Sequence, residues 1–301
     1  MCRFWWFVVN AVLCALCAPF NVVYASPADV TPKQEITTNV PMIVSYNKIP
    51  SLSNPYAYRY ELIQQILEIS RPEYGDYQLN SYEMEITSGR QAEFLGKGKV
   101  LNLAWGSPGS LIANANAIPI TIDILNGLLG YRVCLINKSA PIKIDKITDV
   151  ASLSHIKIGQ GLWIDVDFYK FNHLEPMAVP SFDNLFSMLS AKRIDCIALG
   201  INEVEAIYQD KKKAFPAIDI DKTLLIYYYF PTYLYVSKNT PELAKRIRLG
   251  LTKMKKSGAF DDLFMRYHEK NLAHLELNHR KMICLNSPYL TSANACAGPL
   301  F

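Results

Sequence analysis

Two aromatic side chains stand at the ends of short apolar runs, Tyr46 in MIVSY and Trp105 in VLNLAWG. Both stand where a cleft is expected, and Trp105 offers a flat face on which a planar or sugar-like group can stack, although a tryptophan at such a place is at least as often a packing residue. Ser107 follows Trp105 by two positions and adds a hydroxyl. Gln160, Gly161 and Trp163 lie in IKIGQGLWID, a strand running into a turn that opens a helix. Free N–H groups at such a helix start favour an anionic or acceptor group, and glycine lets backbone approach closely. Asp165 there reads as the helix cap. Glu203, in the first turn of NEVEAIYQDKKKA, either accepts from a cation or amine or complements the helix dipole.

Reaction chemistry is weakly represented. The five histidines, 155, 173, 268, 274 and 279, form no HExxH pair, and there is no GxSxG, no glycine-rich loop ending in GK[ST] and no CxxC. They read as surface or satisfied side chains, so neither a metal nor a cofactor is expected. Cys134 in YRVCLI and Cys196 in DCIAL sit in apolar strand-like runs and read as two buried thiols. Cys284 and Cys296 flank a polar, proline-containing tail and are either bridged or free. No histidine stands beside a cysteine at catalytic spacing, so no residue is assigned as catalytic.

The chain that must position these groups has 301 residues, half of them apolar, and a net charge of +4. Such a balance excludes a disordered acidic tail, gives no basic stripe for nucleic acid, and suits two compact units. Arg3 is the only charge before Asp29, and the mostly apolar run between them is short for a bilayer but suits a secretory leader cut after Ala25. The mature protein is therefore expected in the periplasm. From residue 42 strands alternate with helices: MIVSY, AYRYELIQQILEIS with Tyr58, Leu62, Ile66 and Ile69 on one face, YQLNSYEMEI, SGRQAEFLGKG, VLNLAWG. The scheme repeats from IKIGQG through DVDFYKF, FDNLFSMLSAKR, DCIALGI and NEVEAIYQDKKKA. LLIYYYFPTYLYVSK reads as one long β-rich segment, and two terminal helices follow, the first ended by Gly258. This is an α/β chain with mostly parallel sheets, whose ligands sit at the carboxyl ends of strands.

Three blocks in this order, IKIGQG, NLFSMLSAKRIDCIALGINEVEAI and ELAKRIRLGLTKMKKSGAFDDLFMRYH, resemble the extracellular solute-binding proteins of family 3, with the type 2 periplasmic-binding-protein fold, over roughly residues 36–270. The resemblance implies two lobes joined by two hinge crossings, carried by GLLGYRVCLI and YYYFPTYLY: lobe one over 26–130 and 232–280, lobe two over 131–231, and a C-terminal tail over 281–301. It implies a non-enzymatic, monomeric binder of a small polar solute that serves an ABC-type permease. The alternatives are a sensory module working through a membrane receptor and a cleft dehydratase using Glu203 with Arg132. In amino-acid binders of this family an arginine after the third strand clamps the ligand carboxylate, yet no Lys or Arg occurs between Leu101 and Gly130, and Gly200 stands where an acidic residue is expected. Arg132, at the first crossing, is either the cation nearest the cleft or a surface strand residue.

Overall fold

Apolar residues recurring at Tyr58, Leu62, Ile63, Ile66 and Leu67 give one helix a buried stripe, and runs such as Tyr131–Asn137, buried at every position, demand cover on both faces. The computed structural model describes residues 40–48 and 57–289. The leader expected over 1–25 lies outside them, and no helix among the described residues is long and apolar enough to cross a membrane. In chain order the first elements are β1 (Met42–Lys48), α1 (Ala57–Ile69), α2 (Arg71–Tyr74), β2 (Tyr77–Glu83), α3 (Ser88–Lys97), β3 (Leu103–Gly106) and β4 (Ala117–Ile120). Next come β5 (Tyr131–Asn137), β6 (Ile158–Gly161), α4 (Asp165–Phe171), β7 (Met177–Val179), α5 (Phe182–Ser190), β8 (Cys196–Gly200) and α6 (Val204–Lys211). β9 (Ile218–Ile220), β10 (Leu224–Tyr228), β11 (Tyr233–Ser237), α7 (Pro241–Ser257), α8 (Ala259–His274) and β12 (Lys281–Leu285) complete the order.

These strands make two separate sheet systems. In the first, β1 pairs in parallel with β2, and β11 lies antiparallel between β3 and β4. Asn102 joins the two pieces: its Oδ1 accepts from Ser45 N–H at 2.8 Å and its Nδ2 donates to the Ile43 carbonyl at 2.9 Å. The second system is a seven-stranded sheet of order β12-β10-β5-β8-β6-β7, with β9 also on β5. Six of its strands point one way and β5 runs against them, as the pairings require. Its two faces are buried differently: Val133, Leu135, Ile197 and Leu199 pack with α5, whereas Cys134, Ala198, Ile226 and Tyr228 pack with Phe168 and Tyr169 of α4.

The long β-rich run expected over LLIYYYFPTYLYVSK is two strands in different sheets, β10 and β11, separated at 229–232. Pro231 supplies the break, since it has no N–H to give a ladder. This is one connection between the sheets; 121–130, between β4 and β5, is another. The two are bound to each other. Asp123 Oδ1 accepts from Thr232 N–H at 2.9 Å, Ile124 N–H donates to the Thr232 carbonyl at 2.9 Å, and Gly130 passes so close to the Tyr228 carbonyl that a Cβ there would collide with it. A third passage, 275–280, joins α8 to β12, so 281–285 of the segment expected as a tail is a strand of the seven-stranded sheet. The remainder beyond Tyr289 lies outside the described residues.

The reading of Cys134 and Cys196 as free thiols is corrected: they form a disulfide, with Cα atoms 5.1 Å apart. Their runs are neighbouring antiparallel strands, which brings two side chains on the same sheet face within bonding range. Cys284 is disulfide-bonded as well.

Candidate functional site

Arg132 begins from an unfavourable position, a cation in the buried strand β5 with 6% of its surface exposed. Desolvation is tolerable only with a hydrogen-bonded counter-charge. Asp165, the first residue of α4, supplies it: Arg132 Nε and Nη2 reach Asp165 Oδ1 at 2.8 and 2.6 Å. The Tyr228 hydroxyl accepts from Arg132 Nε at 2.7 Å and donates to the same carboxylate. Burial opposes the charge on both partners, but their attraction wins. Arg132 is held more basic than usual, and Asp165 lies below the ordinary carboxylate range. Burial raises the Tyr228 hydroxyl far above its ordinary value, so it stays a donor. Two expectations change here. Arg132 is not a surface residue, and Asp165 is the first residue of α4 rather than its cap, the cap position being Ile164.

Above this pair, at the carboxyl ends of β6 and β8, opens a cavity of about 350 Å³ lined by Arg132, Asp165, Trp163, Phe182, Glu203 and Phe230 among others. Glu203 is exposed and its Oε1 accepts from the Gly200 N–H at 3.0 Å, which ties the start of α6 to the end of β8. Trp163 is 39% exposed and packs on Phe182, with ring centroids 5.5 Å apart. Gln160 and Gly161 belong to β6 rather than to the turn. Gln160 is fully buried and donates to the Ala198 carbonyl, and the Trp163 indole covers Gly161.

At the carboxyl end of β3 a second cavity of about 320 Å³ is lined by Trp105, Ser107, Ser110, Gln91, Thr232 and Arg59 among others. Trp105 is inside β3 rather than beyond it; Ser107 follows, buried, with its Oγ 3.5 Å from Thr232 Oγ1. The Arg59 guanidinium lies 5.9 Å from the Trp105 ring. Arg59, from α1, is thus a cation in this lining, although Leu101–Gly130 carries none. Tyr46 is buried in β1 and packs on Tyr60 and Trp105 at 5.6 and 6.4 Å; it does not line either cavity. Leu129, in the connection 121–130, lines both. A larger cavity of about 630 Å³ sits at the opposite end of β5 and β8, bordered by Ile142, Lys143, Lys146, His155 and Asp195. No group of His, Cys, Asp and Glu among the described residues could hold a metal ion.

No family model and no curated protein matches the sequence. Among solved structures, a TRAP periplasmic solute-binding protein from Rhodobacter sphaeroides superposes with a TM-score of 0.51 at 15% identity, over 82% of this chain and 88% of that one. The chain has the two-lobe type 2 periplasmic-binding-protein fold. An ancestral arginine-binding protein bound to arginine has a TM-score of 0.46 at 16% identity, over 76% of this chain and 98% of that one. The GluR0 ligand-binding core from Nostoc punctiforme, in complex with L-glutamate, has 0.45 at 15%, over 75% and 99%. At these identities the likeness is one of fold. Segments 121–130 and 229–232 each connect one sheet system to the other.

Of the residues singled out from the sequence, Trp105, Ser107, Arg132, Trp163 and Glu203 line one of the two cavities, whereas Gln160, Gly161 and Tyr46 line neither. The sequence missed Arg59, Asp165, Tyr228, Phe182 and Phe230. Arg132 carried a usable signal: a lone charge in the apolar run YRVCLI needs a buried partner. Phe230 carried another, as the residue before a strand-breaking proline.

Proposed function

We propose that the chain is an exported, monomeric solute-binding protein whose lobes, 26–130 with 232–280 and 131–231, close on a small polar ligand for delivery to an ABC-type permease. The observation that carries this is the placement of the cavities. One opens at the carboxyl ends of strands in each sheet system, and Leu129 in the doubled connection lines both. Open α/β sheets bind ligands at that end. A ligand touching Ser107 and Thr232 on one side and Glu203 and Trp163 on the other makes its full set of contacts only when the lobes approach. Residues 1–25 are proposed as a leader removed on export to the periplasm.

No catalytic step is proposed. A dehydratase would need Arg132 as a cationic clamp beside Glu203, and Asp165 already engages that guanidinium through two nitrogens. The test is a thermal-shift screen of the mature protein over amino acids, sugars, organic acids and polyamines, with small-angle scattering on each hit. A true ligand raises Tm with the logarithm of its concentration and reduces the radius of gyration. Binding with an unchanged radius of gyration refutes closure, and a mature N-terminus at Met1 refutes the leader.

A further inference from the structure

The turn Ser107-Pro108-Gly109-Ser110 follows β3, and Gly109 holds a φ of +84°, which a side chain resists. Its surroundings make a second demand for glycine. A Cβ at 109 would lie 2.6 Å from Cε1 and 2.7 Å from Cζ of Tyr289, and 2.8 Å from Ile164 Cδ1. The bare backbone therefore rests against the Tyr289 ring. Ile164 stands between β6 and α4 and Tyr289 follows β12, so both pack with the seven-stranded sheet, whereas Gly109 belongs to the other sheet system. This contact between the systems is made beside the cavities, since Ser107 and Ser110 line one of them and Trp163 and Asp165 line the other.

Tyr289 is held in place from its own side. Asn172, just after α4, donates from Nδ2 to the Asn286 carbonyl at 2.8 Å and accepts at Oδ1 from Asn286 N–H, also at 2.8 Å. The chain leaving β12 is thus paired to α4 as it would be to a strand. Ser287 Oγ accepts from Tyr289 N–H at 3.3 Å, and the Tyr289 hydroxyl donates to Asp167 Oδ2 at 2.8 Å. The ring meets Phe168 edge-on, with centroids 5.5 Å apart.

We propose that Tyr289 is a latch: mounted on the seven-stranded sheet through α4, its ring catches the Gly109 turn when the two sheet systems come together and biases the protein toward that closed arrangement. This rests on the closure reading above and adds a part that tunes it. The latch biases closure without locking it. One ring against one backbone turn buries roughly 30–50 Å² of apolar surface, which shifts the ratio of open to closed protein by about 3- to 10-fold. A ligand adds its own contacts to the same arrangement, so the latch raises apparent affinity by at most that factor.

Small-angle scattering on the mature, oxidised, ligand-free protein, fitted as a mixture of open and closed forms, reads the bias. Tyr289→Ala should raise the open-to-closed ratio by about 3- to 10-fold. Tyr289→Phe keeps the ring, loses only the bond to Asp167, and should stay nearer the wild type. Gly109→Ala puts a methyl where the ring lies and should open the protein as well. With Tyr289→Ala in the same chain it should open it no further, because the two changes remove one contact. Urea unfolding of the same variants separates the latch from plain packing on α4, which moves the midpoint and leaves the ratio alone. The proposal is overturned if Tyr289→Ala leaves the ratio unchanged, if Tyr289→Phe opens the protein as far as Tyr289→Ala, or if the effects of Gly109→Ala and Tyr289→Ala add. An unchanged ratio with ligand-driven compaction intact in Tyr289→Ala overturns the latch and leaves closure standing. A raised ratio with no compaction by any ligand of the screen does the reverse.

Discussion

Replacing Asp165 by alanine removes the counter-charge of a guanidinium that has 6% of its surface exposed. Arg132 then keeps its charge, since an arginine does not deprotonate in a protein. It loses its bonds from Nε at 2.8 Å and Nη2 at 2.6 Å to that carboxylate, and Tyr228 loses its acceptor. Breaking one side of a buried ion pair costs about 3–5 kcal/mol, much of it the penalty of the charge left behind. At roughly 2–4 °C per kcal/mol for a domain of this size, Tm should fall by about 6–20 °C. The assay is urea unfolding of the ligand-free protein, followed by circular dichroism, for Asp165→Ala and for Arg132→Met with Asp165→Leu. The double variant should recover most of the loss, because it removes both desolvated charges. The sign with pH follows from the depressed carboxyl of Asp165. Its contribution is complete above the unfolded value of about 3.9 and disappears as pH falls through the lower folded value. The gap between wild type and Asp165→Asn should therefore be full at neutral pH and close under strong acid. A loss below about 1 kcal/mol for Asp165→Ala, or a double variant worse than the single, would refute the reasoning.

The Cys134–Cys196 bridge spans a separation of 62 residues, and by chain entropy its removal should cost about 4 kcal/mol. Cys134→Ala with Cys196→Ala should unfold at clearly lower urea, and an unchanged midpoint would show that the strand pairing alone suffices. Arg246 is fully buried in α7 and donates to Ser70 Oγ and to the carbonyls of Leu67, Gly75 and Asp76. Arg246→Met should lose about 2–4 kcal/mol in the same assay, and Arg246→Lys should restore part of it. Gly130→Ala drives a methyl into the Tyr228 carbonyl. It should cost at least about 1–3 kcal/mol, and a neutral result would mean that the two connections do not touch in solution.

Much of the fold was legible where an element is long enough to show its period. The α1 stripe, the thirteen-residue helix it belongs to and the Gly258 boundary between α7 and α8 are read directly from spacing. β4, β7 and β9 are three or four residues long and give alternation too few repeats to register. The fifteen-residue β-rich run concealed a change of sheet, because propensity reports extended backbone and not the partner. The disulfide was hidden for a related reason. Cys134 and Cys196 each read as a small apolar residue in a strand, and only the antiparallel pairing of β5 with β8 brings them together. The site was legible as individual side chains at strand ends and not as pairs. Arg132, Asp165 and Tyr228 are separated by 33 and 63 residues, and no local pattern links them.

Those distant contacts fix the geometry of the cavity in the seven-stranded sheet independently of the closure proposed above. Arg132 stands opposite Gly200 in the β5–β8 ladder, and the disulfide from Cys134, two residues along the same face, locks that register. The spacing of Arg132 and Glu203 about Gly200 is thereby set by strand pairing, which spares the ordering cost that a loop-built site would incur. The connections behave differently. Asp123, Ile124 and Thr232 exchange hydrogen bonds across them, so neither segment can shear past the other without breaking the set. The proposed rotation would therefore be taken up at the ends of the pair, next to β4 and β11 on one side and β5 and β10 on the other. Leu129, next to β5, and Phe230, next to β10, line the cavity of the seven-stranded sheet, so the closure proposed above would move apolar wall against a ligand before it disturbed the charged floor.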